Sequence, residues 1–410
     1  MPDLREVIFS ITNKCNLRCK MCDIPYGSVA ELTAEQWKKV IRDASRLGAQ
    51  TIVFSGGEPL LRQDIYELIS FSRKNNLNAC ITSNGCLIDE QAASKLKGAG
   101  VNVVNISIEG KKETHDFLRG AGTFDKAIAA LKNLKRYKIE STVASTVSKY
   151  NYKDMLYSLE VAKEYGATTV RLQPFNSIFL KDDSRKGEFL IDKDEVGRLS
   201  RMIDEFIRTA AEYGIAVNPA DYLLKIPEYL NGKDFYPAVC GALWYSCPIN
   251  PNGDLLPCWI EGTNDRLIGN VAKEGLYELW LSRKRAKMIK GIINNGCKGC
   301  LMSCYDEAFT RKQLKEVLSG NARKIKKIAS YRKITGRLLQ LLRSQRTRLK
   351  SRFRFYGSYG GSFPAVLRRR LRAFFGSSRH PKRDGRADKT GFLDEIKEAK
   401  RRLEKEIRSI

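Results

Sequence analysis

Short runs rich in β-branched residues alternate with amphipathic stretches through the first two hundred residues, which is how repeated βα units around a parallel sheet appear in a sequence. Strands are predicted at Val7–Thr12, Thr51–Phe54, Asn78–Thr82, Val101–Ile108, Ser141–Val147 and Thr168–Leu172. Helices are predicted at Thr33–Leu47, Asp64–Asn75, Asp89–Lys97, Thr123–Tyr137 and Lys153–Tyr165, with Thr33 and Asp89 suited to cap two of them. Right-handed crossovers between six such units curl an α/β chain into an open, partial (β/α)6 barrel rather than a closed eight-stranded one.

A longer helix, about Asp192 to Tyr213, follows, and Pro219, Pro227 and Pro237 then punctuate a region of weak periodicity. The expected organisation is a barrel domain over residues 1–235, a small cysteine-rich domain over 236–310, and a basic tail over 311–410, helical or partly disordered. Charge supports the last boundary. The chain has 73 Lys+Arg against 46 Asp+Glu, net +27, and residues 311–410 alone hold 31 basic and 8 acidic residues. Stretches such as Phe363–Phe375 and Ile334–Leu349 place arginine among apolar residues at near-helical spacing, a pattern suited to an anionic membrane surface, nucleic acid or an acidic partner. Neither a signal peptide nor an apolar run long enough to span a bilayer is visible, so the chain reads as cytoplasmic or membrane-peripheral.

Eleven cysteines but only two histidines, His115 and His380, make a His-rich zinc site or a His-based catalytic triad a poor explanation. In a reducing compartment clustered cysteines point to thiolate metal sites, either iron–sulfur clusters or zinc held by four sulfurs. Cys15, Cys19 and Cys22 form a C-x3-C-x2-C run in the first βα loop, at the strand end where barrel ligands gather. Three thiolates can hold three irons of a cubane 4Fe-4S cluster and leave the fourth open to a small molecule. Cys80 and Cys86 read as small buried residues, and His115 as structural.

With this triad, Gly56-Gly57-Glu58-Pro59 after the second strand, Thr82-Ser83-Asn84-Gly85 after the third, and Ile106-Ser107-Ile108-Glu109-Gly110 followed by His115-Asp116 and Arg119-Gly120, residues 5–215 resemble the radical S-adenosylmethionine (SAM) superfamily. The resemblance implies that Cys15, Cys19 and Cys22 hold a SAM-binding 4Fe-4S cluster, and that Gly56, Gly57, Glu58 and Pro59 lie near the cofactor's methionine amine. It also places Ser83, Asn84, Ser107, Glu109 and Arg119 in the cofactor site, the last toward the methionine carboxylate. The family pattern usually has Asp where this chain has Glu109. The implied chemistry is reductive cleavage of SAM to a 5′-deoxyadenosyl radical that takes hydrogen from a substrate, with ferredoxin or flavodoxin as electron donor.

A second cysteine set, Cys240, Cys247, Cys258, Cys297, Cys300 and Cys304, is similar to the SPASM or shorter Twitch extension of the same superfamily. A hairpin turn at Ile249–Asp254 separates Cys240 from Cys258. The resemblance implies one auxiliary 4Fe-4S cluster on Cys240, Cys258, Cys297 and Cys300, with Cys304 and Cys247 as further candidates. A structural zinc site has the same spacing.

The leading reading is a radical SAM enzyme that modifies or matures a peptide, protein or small-molecule substrate. With the triad starting at Cys15, leader-peptide recognition is expected to fall to another chain or to the tail. Two alternatives stand beside it: radical chemistry on RNA or a membrane lipid or glycan reached through the basic tail, and a non-catalytic iron–sulfur or zinc scaffold.

Overall fold

The computed structural model describes residues 4–235, 242, 246–260, 262, 266–295 and 299–302. Six parallel strands lie side by side in chain order: β1 (Glu6–Thr12), β2 (Thr51–Gly56), β3 (Asn78–Ser83), β4 (Val103–Ser107), β5 (Glu140–Val147) and β6 (Thr169–Pro174). Helices connect them on the outside: α1 (Ala34–Arg46), α2 (Ile65–Lys74), α3 (Glu90–Ala99), α4 (Lys112–Arg119), α5 (Thr123–Arg136) and α6 (Tyr157–Tyr165), followed by α7 (Val196–Tyr213). This is the expected α/β partial barrel.

Local chemistry explains the element ends. The Thr33 hydroxyl accepts from Gln36 N while Gln36 Oε1 accepts from Thr33 N, a reciprocal cap that opens α1. Asp89 caps α3 through Ala92 N at 2.7 Å, and Gly100 closes that helix in the left-handed conformation. On α1 the buried Trp37, Val40, Ile41 and Ala44 recur at helical spacing, and Trp37 stacks against Phe9 of β1 with ring centroids 4.6 Å apart. Phe9 also meets Phe54 edge-on at 5.7 Å, tying β1, β2 and α1 into one core.

The sheet extends past the six predicted strands at both edges. A two-residue β7 (Ala216–Val217) pairs parallel to β6. At the other edge β8 (Ser246–Ile249) pairs parallel to β1, with Val7 opposite Cys247, and the short β9 (Asp254–Leu255) and β10 (Gly269–Asn270) add antiparallel turns. The order β10-β9-β8-β1-β2-β3-β4-β5-β6-β7 leaves the sheet open. The turn between β8 and β9 closes through Gly253 N donating to Asn250 O, with Gly253 at φ +90°. Among the described residues no helix is long and apolar enough to cross a membrane. The basic tail, residues 311–410, lies outside the described residues, as do Cys240, Cys297 and Cys304.

Candidate active site

The loop that leaves β1 carries Cys15, Cys19 and Cys22, all half-buried, while the intervening Lys14, Asn16, Arg18 and Lys20 face solvent. Neighbouring strand ends hold this loop in place. Asn84, just after β3, donates its Nδ2 to Asn16 Oδ1 at 2.8 Å and lies 3.9 Å from Cys15 Sγ. Arg119, ending α4, brings Nη1 to 4.0 Å from Cys19 Sγ, and Lys20 N donates to Leu118 O. Burial pushes all three thiols up, Cys22 to about 11, with Arg119 pulling the other way on each. Protons would therefore have to leave as metal binds.

Among the described residues no three His, Cys, Asp or Glu side chains are gathered closely enough to hold a single metal ion. Thiolates around one tetrahedral zinc stand about 3.8 Å apart, from Zn–S bonds of about 2.3 Å. Corner ligands of a cubane bind different irons and stand farther apart. Three half-buried thiols on one loop, beside a guanidinium that favours their ionised form, suit the cubane better than a single ion.

The glycine segment after β2 is welded to the same loop. Gly57 N donates to Thr12 O at 2.7 Å and Glu58 N to Lys14 O at 2.8 Å. A Cβ on Gly56, which sits at φ +118°, would fall 2.4 Å from Thr12 O, and one on Gly57 would fall 2.2 Å from Lys14 O. Only glycine permits so close an approach. Glu58 is fully buried and turned inward: its carboxylate accepts from Ser83 Oγ at 3.0 Å, Asn84 N at 2.8 Å and Leu60 N at 3.2 Å. Burial raises its pKa to about 7 against these hydrogen bonds. Pro59 begins the short turn that Glu58 caps.

Beyond β4, which ends at the buried Ser107, Glu109 forms an ion pair with Arg119. Its second oxygen accepts from Thr146 N at 2.7 Å and Ser145 Oγ at 3.4 Å. Asn151 Nδ2 donates to Glu109 O at 2.9 Å. Burial opposes the charge on Arg119, but Glu109 and the Cys19 sulfur overcome it and hold its pKa above the ordinary arginine value. His115 is completely buried, its Nδ1 accepting from Glu109 N at 3.2 Å. Burial, then the nearby Arg119 charge, depresses its pKa to about 3, so the ring is neutral.

The structure therefore brings Cys15, Cys19, Cys22, Asn84, Arg119 and Glu109 into one contact network, with Gly56, Gly57, Glu58, Pro59 and Ser83 forming its adjoining wall. Sequence reasoning missed Asn16, Ser145, Thr146 and Asn151. None carries a local pattern, and Asn151 meets Glu109 only through the fold. Asp116 follows His115 on α4. It caps α5 by accepting from Gly122 N and Phe124 N. Cys80 and Cys86 are half-buried rather than sealed in the core.

Of the second cysteine set, Cys258 and Cys300 share a small apolar cluster with Ala242, Trp259, Ile260 and Met302. Cys300 N donates to Phe235 O, and the next residue is anchored to the barrel: Gln173 Nε2 and Tyr222 OH both donate to Leu301 O, at 2.8 and 2.9 Å. Cys247 lies elsewhere, wholly buried in the main core beside β1.

The radical SAM superfamily model matches residues 9–162, and the model of SPASM, an iron–sulfur cluster-binding domain, matches residues 240–305. Fe-coproporphyrin III synthase of Methanosarcina barkeri is 37% identical over 164 residues, covering 38% of this chain and 41% of that relative, so this match spans less than half the relative's length. Mycofactocin maturase MftC of Mycolicibacterium smegmatis is 26% identical over 305 residues, 72% of this chain and 74% of that one. The solved structure of anSMEcpe with bound AdoMet and Cp18Cys peptide aligns with a TM-score of 0.58 at 22% identity, covering 70% of this chain and 83% of that chain. With a radical SAM domain that implies a 4Fe-4S cluster and SAM, and a SPASM domain that implies auxiliary iron–sulfur binding, the chain belongs to the radical SAM superfamily of enzymes.

Proposed function

We propose that this enzyme modifies a peptide or small molecule held at the barrel mouth by SAM radical chemistry, with Cys15, Cys19 and Cys22 as ligands of the SAM cluster. The observation that carries the reading is the meeting of the cysteine loop with Asn84 from the end of β3 and Arg119 from the end of α4. When bound, the cluster supplies the electron for reductive cleavage of SAM, the source of a 5′-deoxyadenosyl radical able to take hydrogen from a substrate.

The chain's own residues position and shield. Arg119 offers a cation that Glu109 orients and keeps charged, suited to a cofactor carboxylate. Gly56 and Gly57 let backbone approach the cysteine loop, with Pro59 fixing the exit of that segment. Glu58 fastens this wall to Ser83 and Asn84, a positioning role, and Ser107 lines the neighbouring strand end. Cys258 and Cys300 are assigned to the auxiliary cluster, with Cys240 and Cys297 as the remaining ligands and Cys304 as an alternate. Cys247, buried in the main core, is assigned a packing role.

A peptide substrate is supported by the maturase relative and by the peptide held in a structure of the same fold. A second reading, a tetrapyrrole precursor with an iron coproporphyrin as product, is favoured by the 37% identity to Fe-coproporphyrin III synthase, a relative named for that product. Protein reconstituted anaerobically with iron and sulfide, then given SAM and reductant, is expected to yield 5′-deoxyadenosine. Its absence would exclude the enzyme reading. Candidate precursor peptides and tetrapyrrole precursors, offered in turn, decide between the substrates by mass spectrometry: a modified peptide supports the first reading and newly formed Fe-coproporphyrin III the second.

A further inference from the structure

We infer that the solvent face of the cysteine loop is the landing surface for an acidic one-electron carrier protein, an inference that rests on the radical SAM reading above. Four cations converge there. Arg18 and Lys20 flank Cys19 on the outside of the loop, and Lys181 and Arg185 reach across to it. Lys181 Nζ donates to Tyr26 O at 2.9 Å, and Arg185 Nη2 donates to Lys20 O.

Asp23 is buried and already holds Arg185 Nη1 at 3.3 Å and Lys181 N at 2.8 Å. The exposed Asp182 is engaged by Ser184. Among the described residues no carboxylate pairs with the side chains of Arg18, Lys20 or Lys181. Like charges left side by side repel, and an acidic partner relieves the repulsion while steering its own approach.

Exposed aromatic rings sit within this cationic frame. Lys20 Nζ lies 4.6 Å from the Phe117 ring centroid, and Arg18 Cζ lies 5.4 Å from that of Tyr26. Phe117 in turn packs against Tyr150 at 5.3 Å. Tyr26, Phe117 and Tyr150 remain 59%, 49% and 41% exposed, large apolar area of the kind that anchors protein interfaces. The location suits the task, because the exposed Arg18 and Lys20 stand on the same loop as the half-buried Cys19 and Cys22. A reduced carrier seated here would give up one electron to the cluster that Cys15, Cys19 and Cys22 would hold, and would leave oxidised by one electron.

The test uses the full, anaerobically reconstituted chain and flavodoxin as probe. Lys20→Glu/Lys181→Glu reverses two cations that contact only a ring face and one carbonyl. Arg18 is left intact because it donates to Cys15 O and Leu17 O inside the loop. Calorimetry is expected to show flavodoxin binding weakened by about tenfold at low salt, with a flatter salt dependence. The flavodoxin-driven yield of 5′-deoxyadenosine should fall in parallel, while the rate with the small neutral photoreductant 5-deazaflavin stays unchanged. Lys20→Arg/Lys181→Arg should restore flavodoxin binding. Unchanged flavodoxin affinity, or an equal fall in both rates, overturns the docking surface. Absence of 5′-deoxyadenosine from the wild type under 5-deazaflavin overturns the radical SAM reading itself.

Discussion

Arg119 grips a single oxygen of Glu109, with Nε at 2.8 Å and Nη2 at 2.5 Å from Oε1, and keeps Nη1 for the Cys19 sulfur. The pair is buried, and removing one partner of such a pair strands the other. Arg119→Met is expected to destabilise the fold by about 3 kcal/mol, the lower end for a broken buried pair because Thr146 N and Ser145 still serve the second oxygen. Arg119→Met/Glu109→Leu should recover part of that loss in urea denaturation, the remainder reflecting the acceptor lost to Thr146 N and Ser145 Oγ.

Replacing any of Cys15, Cys19 or Cys22 by Ala is expected to lower bound iron by about four atoms per chain relative to wild type. The SPASM-region iron should remain. Iron and sulfide assays after reconstitution check this, and full retention of iron would remove the triad from the ligand set.

Gly57→Ala should act on the same cluster from a distance. Its Cβ would fall 2.2 Å from Lys14 O, a backbone atom one residue before Cys15, so the loop must move. The expected outcome is a folded protein that reconstitutes less SAM-cluster iron. Ala at Gly98, where a Cβ meets nothing within 4 Å, serves as the control.

Much of this arrangement is legible in the sequence because it is local. Strands β1 to β6 show themselves by β-branched runs, and α1 and α3 by the caps Thr33 and Asp89. Long-range pairing leaves no such trace. The two residues of β7 are too few to form a pattern, and Pro248 disguises β8 by lacking the amide hydrogen a strand ordinarily uses. Asp64 stands at the predicted start of the second helix, yet its carboxylate is taken by Arg62 at 2.6 Å and makes no capping bond. The α4 helix, rich in charge, shows only His115 and Leu118 as buried residues. Cysteine spacing singled out the candidate ligand loop and the turn after β3 pointed to Asn84, whereas the contacts of Asn16 and Asn151 became visible only once the strand ends were assembled.

Two buried groups set opposite pH limbs. Glu58 has its carboxyl raised to about 7, so its contribution to stability is full below about 4.5 and lost as pH rises through about 7. His115 is depressed to about 3, so its contribution is full above about 6.5 and lost as pH falls toward about 3. Unfolding free energies measured across pH should therefore fall less steeply toward alkaline pH in Glu58→Gln, and less steeply toward acid in His115→Gln.

Cys258 and Cys247 should separate ligand from filler. Cys258→Ala is expected to lose auxiliary-cluster iron and its electron paramagnetic resonance signal. Cys247→Ala should keep both and instead cost about 1 kcal/mol through the small void left beside β1.

The parallel pairing of β8 with β1 has a practical consequence for dissecting the chain. Truncation ahead of residue 246 would strip the strand that launches the cysteine loop of one neighbour and bare a row of unpaired amides and carbonyls. Such a fragment is prone to stick to copies of itself, so separating the two iron-binding regions by shortening the polypeptide yields aggregation rather than a minimal catalyst.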